Sequence, residues 1–387
     1  MLPIDVRALA TLIVEKMKEV RANKLTDALR KLGVSKARLR FYGDVLRGDR
    51  RYITTGSLRK LCDELAIPYI VLEKRKVFRQ YNFTYDLSSP SLWKLATHVI
   101  NEGFIPKATS SATYVNEDPV LHWYFKKQVE ATGGTCSGPH PRKRGAVMDS
   151  YADATVSRKL HAIGVPYGKK TVNQPTIDLS RMDEDTWRYH VQTTLSEEGF
   201  GMFLLDRRKG TSEMLVGWGR SYDITKNVPQ DLVESLRPGT YTLEKIRDIG
   251  YDLFKTVIEC YPPFLMKEYR ELQRRHSMEV PLQLWPRPRP WALRVTKDGR
   301  LVSDWIFETT NRKLVTILHE YYGMLPGTWK AEAFDKRYDF YVAHLGKKLD
   351  DRALDELEEI KRRFPYKKIP QSWISERMRE YFGEHHE

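Results

Sequence analysis

SLWKLATHVINEGFIPK, Ser91 to Lys107, and WRYHVQTTLSEEGFGMF, Trp187 to Phe203, follow one plan: an apolar helix, a terminal Glu, a Gly, then Phe and a strand. The two acids, Glu102 and Glu198, stand 96 residues apart. A Gly after the last helical residue stops a helix at no steric cost, because it can take the left-handed backbone conformation. The Glu before it is less ordinary. Its charge lies at the negative end of the helix dipole, where an anion is disfavoured by up to about 1 kcal/mol. A cation is therefore expected near each acid. Repetition at this distance implies two half-domains related by a pseudo-two-fold axis.

Outward from the first helix come short extended runs around PKATSSATYVNED and a helix from about Pro119 to Ala131, with Leu121, Phe125 and Val129 at helical spacing. A second extended pair follows in TCSGPHPRKRGAVMDSYADATVS, then a short helix in RKLHAIGVPYGKK. The first half thus reads αββαββα over residues 91–180. The second half, 186–330, has a hairpin in GMFLLDRRKGTSEMLVGWGRS and another in WALRVTKDGRLVSDWIFET, with the turn signal KDG, before a closing helix. Its two hairpins are separated by a helical insertion at about 228–283, and a charged helical tail occupies 331–387. The expected class is α+β. GVPYGKKT, from Gly164, imitates a phosphate loop but has three residues between its glycines and lacks Ser or Thr after the first Lys, so it is not read as one.

A chain of 387 residues is expected to divide into two or three domains. Its net charge is +14, and residues 1–80 hold 19 Lys and Arg against 9 Asp and Glu. A basic block of that kind suits a polyanion. No apolar run reaches the roughly 20 residues that a membrane-spanning helix needs, so nucleic acid is the better partner. The N-terminus mixes charges into a helical rhythm and does not read as a signal peptide. Cys62, Cys136 and Cys260 are too scattered for a disulfide framework or a zinc site, which points to a reducing, cytoplasmic setting.

Within the basic block, LTDALRKLGVSKARLRFYGDVLRGDRRYITTGSLRKLCDELAIP, Leu25 to Pro68, contains a helix, a Gly turn, a helix capped by Ser35, and a third helix with Leu58, Leu61 and Leu65 on one face. This resembles a helix-turn-helix of the phage-repressor type. The likeness implies an all-α DNA-binding domain over 1–84, with Lys36, Arg38 and Arg40 offered to DNA and Leu39 and Val45 to the core.

The two-motif region resembles the LAGLIDADG homing endonuclease family in its single-chain form. LATHVINEG, Leu95 to Gly103, and VQTTLSEEG, Val191 to Gly199, match the motif. TYVNEDPVLHWYFKKQV and TVSRKLHAIGVPYGKKTVNQP match flanking elements. The resemblance implies paired motif helices, two saddle-shaped sheets along a double-stranded DNA groove, and hydrolysis of phosphodiester bonds. It further implies a monomer, with Mg²⁺ or Mn²⁺ held between Glu102 and Glu198. Lys169 and Lys170 match the neighbourhood in which the family often keeps a basic residue near the cleavage centre. The third and seventh motif positions are usually small. Here they are Thr97 and Asn101, then Thr193 and Glu197, so Glu197 is expected either to face outward or to mark a site that has drifted from cleavage.

A groove-facing sheet should carry polar and basic side chains. Lys107, Thr109, Ser111 and Thr113 in the first half, with Arg207, Arg208, Lys209 and Arg220 in the second, are the candidates. The same scaffold would also serve a non-catalytic transcription regulator or an RNA maturase.

Overall fold

The computed structural model describes residues 2–383 apart from 50, 51, 54, 68–70, 73–76, 78–86, 107–109, 143–145, 207–209 and 367. The chain forms two compact units, residues 1–89 with 130–135, and residues 90–129 with 136–387. In the first, strand β1 (Leu2–Pro3) pairs with β2 (Tyr52–Ile53) beside helices α1 (Val6–Glu19), α2 (Leu25–Lys31), α3 (Leu39–Arg47) and α4 (Thr55–Leu65). Asp5 caps α1 by accepting from the amides of Arg7 and Ala8. Leu58, Leu61 and Leu65 are fully buried, as their spacing requires. Ser35 caps a single 3-10 turn, Lys36–Arg38, and α3 begins after it. Val45 is in the core and Leu39 packs at its edge.

The second unit opens with α5 (Pro90–Asn101), β3 (Gly103–Phe104), β4 (Ala112–Asn116), α6 (Pro119–Ala131), β5 (Cys136–Pro141), β6 (Met148–Ala152) and α7 (Ala154–Ala162). The plan restarts with α8 (Glu184–Glu197), β7 (Gly199–Asp206) and β8 (Thr211–Asp223). The strands β3-β4-β6-β5 and β7-β8-β11-β10-β9 form two antiparallel sheets, where β9 is Gly239–Thr242, β10 Arg289–Val295 and β11 Leu301–Thr309. Each half therefore places its strands in the order first, second, fourth, third, and β9 adds a fifth strand to one edge. One hydrophobic core holds Leu92, Leu95 and Val99 of α5, Leu195 of α8, Tyr114 of one sheet and Trp218 of the other.

The stretch 228–283 is less separate than its sequence suggests. Besides α9 (Gln230–Ser235), α10 (Leu243–Ile249) and α11 (Tyr251–Glu259) it supplies β9, and its last helix, α12 (Pro263–Arg275), packs on β8 and β11 with Phe264, Leu265 and Leu272 buried. After β11 the chain continues through α13 (Arg312–Thr316) into a π-helix, Ile317–Tyr322. The segment read as a tail is also structural, because α14 (Trp329–Ala343) lies on β7 and β8. Helices α15 (Asp351–Arg363) and α16 (Gln371–Phe382) follow it.

Neither motif glycine works by the left-handed conformation, since neither Gly103 nor Gly199 has a positive φ. Space is the reason instead. A Cβ at Gly103 would lie 2.7 Å from Val99 Cα and 2.8 Å from Thr113 O, and one at Gly199 would lie 2.5 Å from Leu195 Cα. Each strand folds back against the last turn of its own helix, and only a hydrogen fits between. Gly103→Ala and Gly199→Ala should each lower stability by about 1 to 3 kcal/mol, because backbone atoms cannot yield as a side chain can. Urea denaturation checks this, and an unchanged midpoint would refute the close-approach argument.

Candidate active site

Helices α5 and α8 pack side by side. Their last turns end alike: the Glu102 amide donates to His98 O at 3.1 Å and the Glu198 amide to Thr194 O at 2.9 Å. Asp183 starts α8 by accepting from the Thr186 amide at 2.8 Å. The two acids are brought close enough to act on each other. The Glu102 carboxyl is pushed up to about 8, first by burial and then by the charges of Glu198 and Glu197, against the opposing pull of Lys170 and Lys330.

The cations expected near the acids are these two lysines. Lys170 Nζ donates to Val99 O at 3.2 Å and to Asn101 O, closing the end of α5. Lys330 Nζ donates to Glu197 O at 2.7 Å and Gly199 O at 3.0 Å, closing the end of α8. Each ammonium thus satisfies carbonyls that a helix end leaves open and offsets the dipole there. Burial lowers Lys170 to about 8, against the pull of Glu198 and Glu102, and it lowers Lys330 as well. Glu102 and Lys330 line one cleft of about 470 Å³, and Glu198 and Lys170 line another of about 300 Å³. Each acid therefore meets the lysine of the opposite half.

Lys330 was not among the sequence candidates, although a signal for it exists. GVPYGKK, Gly164 to Lys170, and GMLPGTWK, Gly323 to Lys330, share a Gly, an apolar residue, a Pro, a second Gly and a closing Lys. The false phosphate loop is one copy of a repeated lysine-delivery turn. Lys169, the neighbouring candidate, is exposed and faces Asp298 at 3.6 Å, outside the site.

The interface between α5 and α8 is polar. His98 Nδ1 lies 2.5 Å from Glu197 Oε1, Tyr114 OH donates to the same oxygen at 2.6 Å, and His98 Nε2 lies 2.9 Å from Tyr189 OH. Glu197 is 4% exposed, so it does not face outward, and its burial is matched by partners on one oxygen. Its Oε2 and the Asn101 side-chain amide have no hydrogen-bond partner among the described residues. A second chain runs from Thr97 Oγ1 to His190 Nδ1 at 2.9 Å, and from His190 Nε2 to Glu268 Oε1 at 3.0 Å.

The nucleic-acid candidates divide. Lys36 and Arg40 are exposed on the first unit. Arg38 is not offered to solvent: it pairs with Glu64 at 3.2 Å, lies 4.2 Å from the Phe41 ring centroid, and shares Glu64 with Tyr42 OH. Ser111 is half-buried and Thr113 is covered. Thr113 does sit on the outer face, in the register row Phe104, Thr113, Tyr151, Ser137, where its larger neighbours hide it. Arg220 is not groove-facing. It shares the inner face of β8 with Met214, Val216 and Trp218, since alternate residues of a strand point the same way, and it is ion-paired there. Lys107, Thr109, Arg207, Arg208 and Lys209 lie outside the described residues. The outer face of the five-stranded sheet is mixed where a basic face was expected: one shallow cleft on it combines Phe200, Met202, Leu204, Leu215, Trp291 and Ile306 with Arg287, Arg289 and Glu308.

The two carboxylates are hard oxygen donors of the kind Mg²⁺ or Mn²⁺ takes, while the helix-end carbonyls beside them already accept from Lys170 and Lys330. Among the described residues no three His, Cys, Asp or Glu come together as a complete metal cluster. Among them also, no helix is long and apolar enough to cross a membrane.

A folded carboxyl at about 8 against an ordinary 4.5 means the native state holds a proton that the unfolded chain has lost. Stability from this group is present at low pH and declines as pH rises through that window. Glu102→Gln should therefore leave the thermal midpoint near its original value at about pH 5 and raise it by about 4 °C or more above about pH 8. Calorimetry across pH checks the crossover, and a parallel shift at every pH would contradict it. Comparison with known proteins adds no assignment, since no family model and no curated protein matches this chain.

Proposed function

We propose that this chain binds double-stranded DNA and hydrolyses its phosphodiester bonds at a centre shared by Glu102 and Glu198, as a LAGLIDADG-like endonuclease with an added helix-turn-helix unit. The observation that carries this reading is the repeated construction: two packed helices whose terminal acids interact, each end closed by a buried lysine from an equivalent turn. The equal strand order in the two halves supports it. So does the charge of +14, concentrated toward the first unit where Lys36 and Arg40 are exposed. Both acids come from one chain, so a monomer suffices.

In this reading Glu102 and Glu198 are the residues that would hold the divalent ion. Bound Mg²⁺ or Mn²⁺ would supply Lewis-acid stabilisation of the phosphoryl oxygens and a water of lowered pKa. The water oxygen adds to phosphorus and releases a proton to solvent, one ester P–O bond breaks, and the released sugar oxygen takes up a proton, so one water is consumed for each bond cut. Lys170 and Lys330 each have a donor left after closing the helix ends, placed to offset charge on a phosphoryl oxygen. The non-cleaving regulator on the same scaffold is favoured by one observation. The apolar patch of Phe200, Met202, Leu204, Leu215, Trp291 and Ile306, within a cleft that also holds Arg287 and Arg289, offers a surface to a protein partner.

A supercoiled plasmid library incubated with the protein and Mg²⁺, then sequenced for new ends, decides between them. Glu102→Gln and Glu198→Gln should each slow cutting by about two to three orders of magnitude. Metal-free binding should persist in both variants, and for Glu102→Gln it should tighten only above about pH 8, where the native carboxyl is ionised. Tight binding by the unaltered protein with no cutting in Mg²⁺ or Mn²⁺ would leave only the regulator.

Affinity from the first unit is tested separately. Lys36→Ala with Arg40→Ala should flatten the plot of log affinity against log salt by about 0.9 for each lost phosphate contact. Arg38→Ala should instead lower the stability of that unit and leave the slope alone. An unchanged slope in the double variant would remove these side chains from the interface.

A further inference from the structure

The stretch WPRPRPW, Trp285 to Trp291, leads into β10 beside the Glu198 cleft. Its residues alternate: Arg287, Arg289 and Trp291 are exposed, while Pro288 and Pro290 are buried. Proline locks the backbone angle φ, so the three exposed side chains stand on a stem with little freedom left to lose on binding. Trp291 is also the extra residue of a β-bulge. Pro290 pairs with Trp305 and Ala292 with Asp304, neighbours on β11, which leaves Trp291 with no residue opposite. A bulge re-aims a side chain, and here it turns outward an indole that is 59% exposed.

Ring contacts set Trp291 apart. Trp218, Trp285 and Trp305 meet the rings of Phe307, Tyr269 and Tyr261. Trp291 meets no ring among the described residues, and its neighbour is a cation instead. The guanidinium carbon of Arg289 lies 5.7 Å from the indole centroid, and Glu308 holds that arginine in place. Trp291 and Ile306 wall both the Glu198 cleft and the shallow cleft of about 870 Å³ on the outer sheet face. Opposite Ile306 and Glu308, Gly219 and Gly217 of β8 raise no side chain, so the floor there is bare backbone. Arg287 lines the outer cleft and makes no ion pair among the described residues.

Three features agree on one occupant. A flat, exposed indole without a ring partner is a stacking surface for any nucleobase. An arginine free of acidic partners suits the phosphates that flank a base. The wall shared with the Glu198 cleft puts this surface next to the proposed phosphodiester centre. A base can lie on such a surface only out of its own stack, and unstacking is least costly where the base is mispaired.

We propose that Trp291 receives a nucleobase extruded from the bound duplex beside Glu198, with Arg289 supporting the indole and Arg287 meeting a flanking phosphate. The site accordingly favours duplexes in which the base at that position is mispaired. Trp291 holds the strand and touches no reacting atom, and no bond is made or broken there. This rests on the duplex-binding reading above.

The test compares two ways of removing one base pair. Duplexes selected from a random library for binding to the full chain are remade with one central position at a time changed to a mismatch or to an abasic residue. Both changes abolish pairing, but only the mismatch leaves a base to stack. Fluorescence anisotropy without divalent metal should show the mismatch bound about tenfold or more tightly than the abasic duplex at one position, as expected for one base–aromatic stack. Trp291→Ala should erase that difference, and Trp291→Phe should keep part of it. Circular dichroism and the thermal midpoint check that both variants fold. In the unaltered protein, 5-iodouracil at the same position should crosslink on irradiation to Trp291, as located by mass spectrometry.

Mismatched and abasic duplexes bound alike at every central position overturn the inference while duplex binding stands, and they leave the cleft to a protein partner. A crosslink formed only elsewhere, or a Trp291→Ala variant that weakens both duplexes equally, also overturns it. Single strands bound as tightly as the mismatched duplex exclude the duplex as the source of the base and overturn it too. Absence of binding to any duplex overturns both this inference and the reading beneath it.

Discussion

Two helices that end against each other inside a protein bring together charges of one sign. The carboxyl ends of α5 and α8 each present open carbonyls, and each is followed by a Glu. Most of the second unit's construction around this point answers that concentration of negative charge. Lys170 and Lys330 donate into the carbonyls of the two ends. Gly103 and Gly199 let β3 and β7 leave by folding back on the helices, which keeps the ends together. Burial, with the charges of Glu198 and Glu197 added to it, still outweighs the lysines at Glu102, whose carboxyl retains its proton to about 8. A site still short of positive charge after two lysines is one that a divalent ion or a protonated acid must complete.

The same two helices meet through side chains that most helix pairs would avoid. Buried ion pairs are weak sources of stability, because two charges leave water, and removing one partner strands the other. Glu197, with His98 and Tyr114 on one oxygen, and Glu268, with His190, Trp218 and Arg220 spread over both, answer that difficulty with hydrogen bonds. The cost that remains is visible in Glu197 Oε2 and the Asn101 amide, which have no hydrogen-bond partner among the described residues. Such a network specifies one register between the helices, since sliding by a turn would break the bonds of Thr97 and His98 to His190, Tyr189 and Glu197. Registration is what a centre assembled from two helix ends requires.

Symmetry is broken by what the second half acquired. The helix α12, carrying Glu268, comes from a stretch absent from the first half, and β9 from the same stretch extends one sheet only. At the opposite end of the chain, Phe364 and Arg337 join the C-terminal helices to β7, where Arg337 donates to Gly201 O at 2.8 Å and to Phe364 O at 2.7 Å. Pro365, Tyr366 and Lys368 consequently wall the Glu102 cleft and leave the Glu198 cleft alone. The additions therefore reach the centre from different sides and make its two clefts chemically distinct.

The amino-acid sequence by itself determined what depends on neighbours along the chain. The repeated helix, Glu and Gly, the strand pairs with their turns, the capped starts and the basic first unit all follow from local spacing and charge. Position in the sequence could not tell Arg38 from Lys36 or Arg220 from a groove residue. Glu64 and Glu268, which hold those arginines, lie 26 and 48 residues away. Lys330 was hidden for the same reason, since the stretch 228–283 lengthened the second half and destroyed the constant offset that revealed the acids. Packing alone decided which charges are buried, paired or free, because electrostatic energy falls with distance through space and takes no account of distance along the chain.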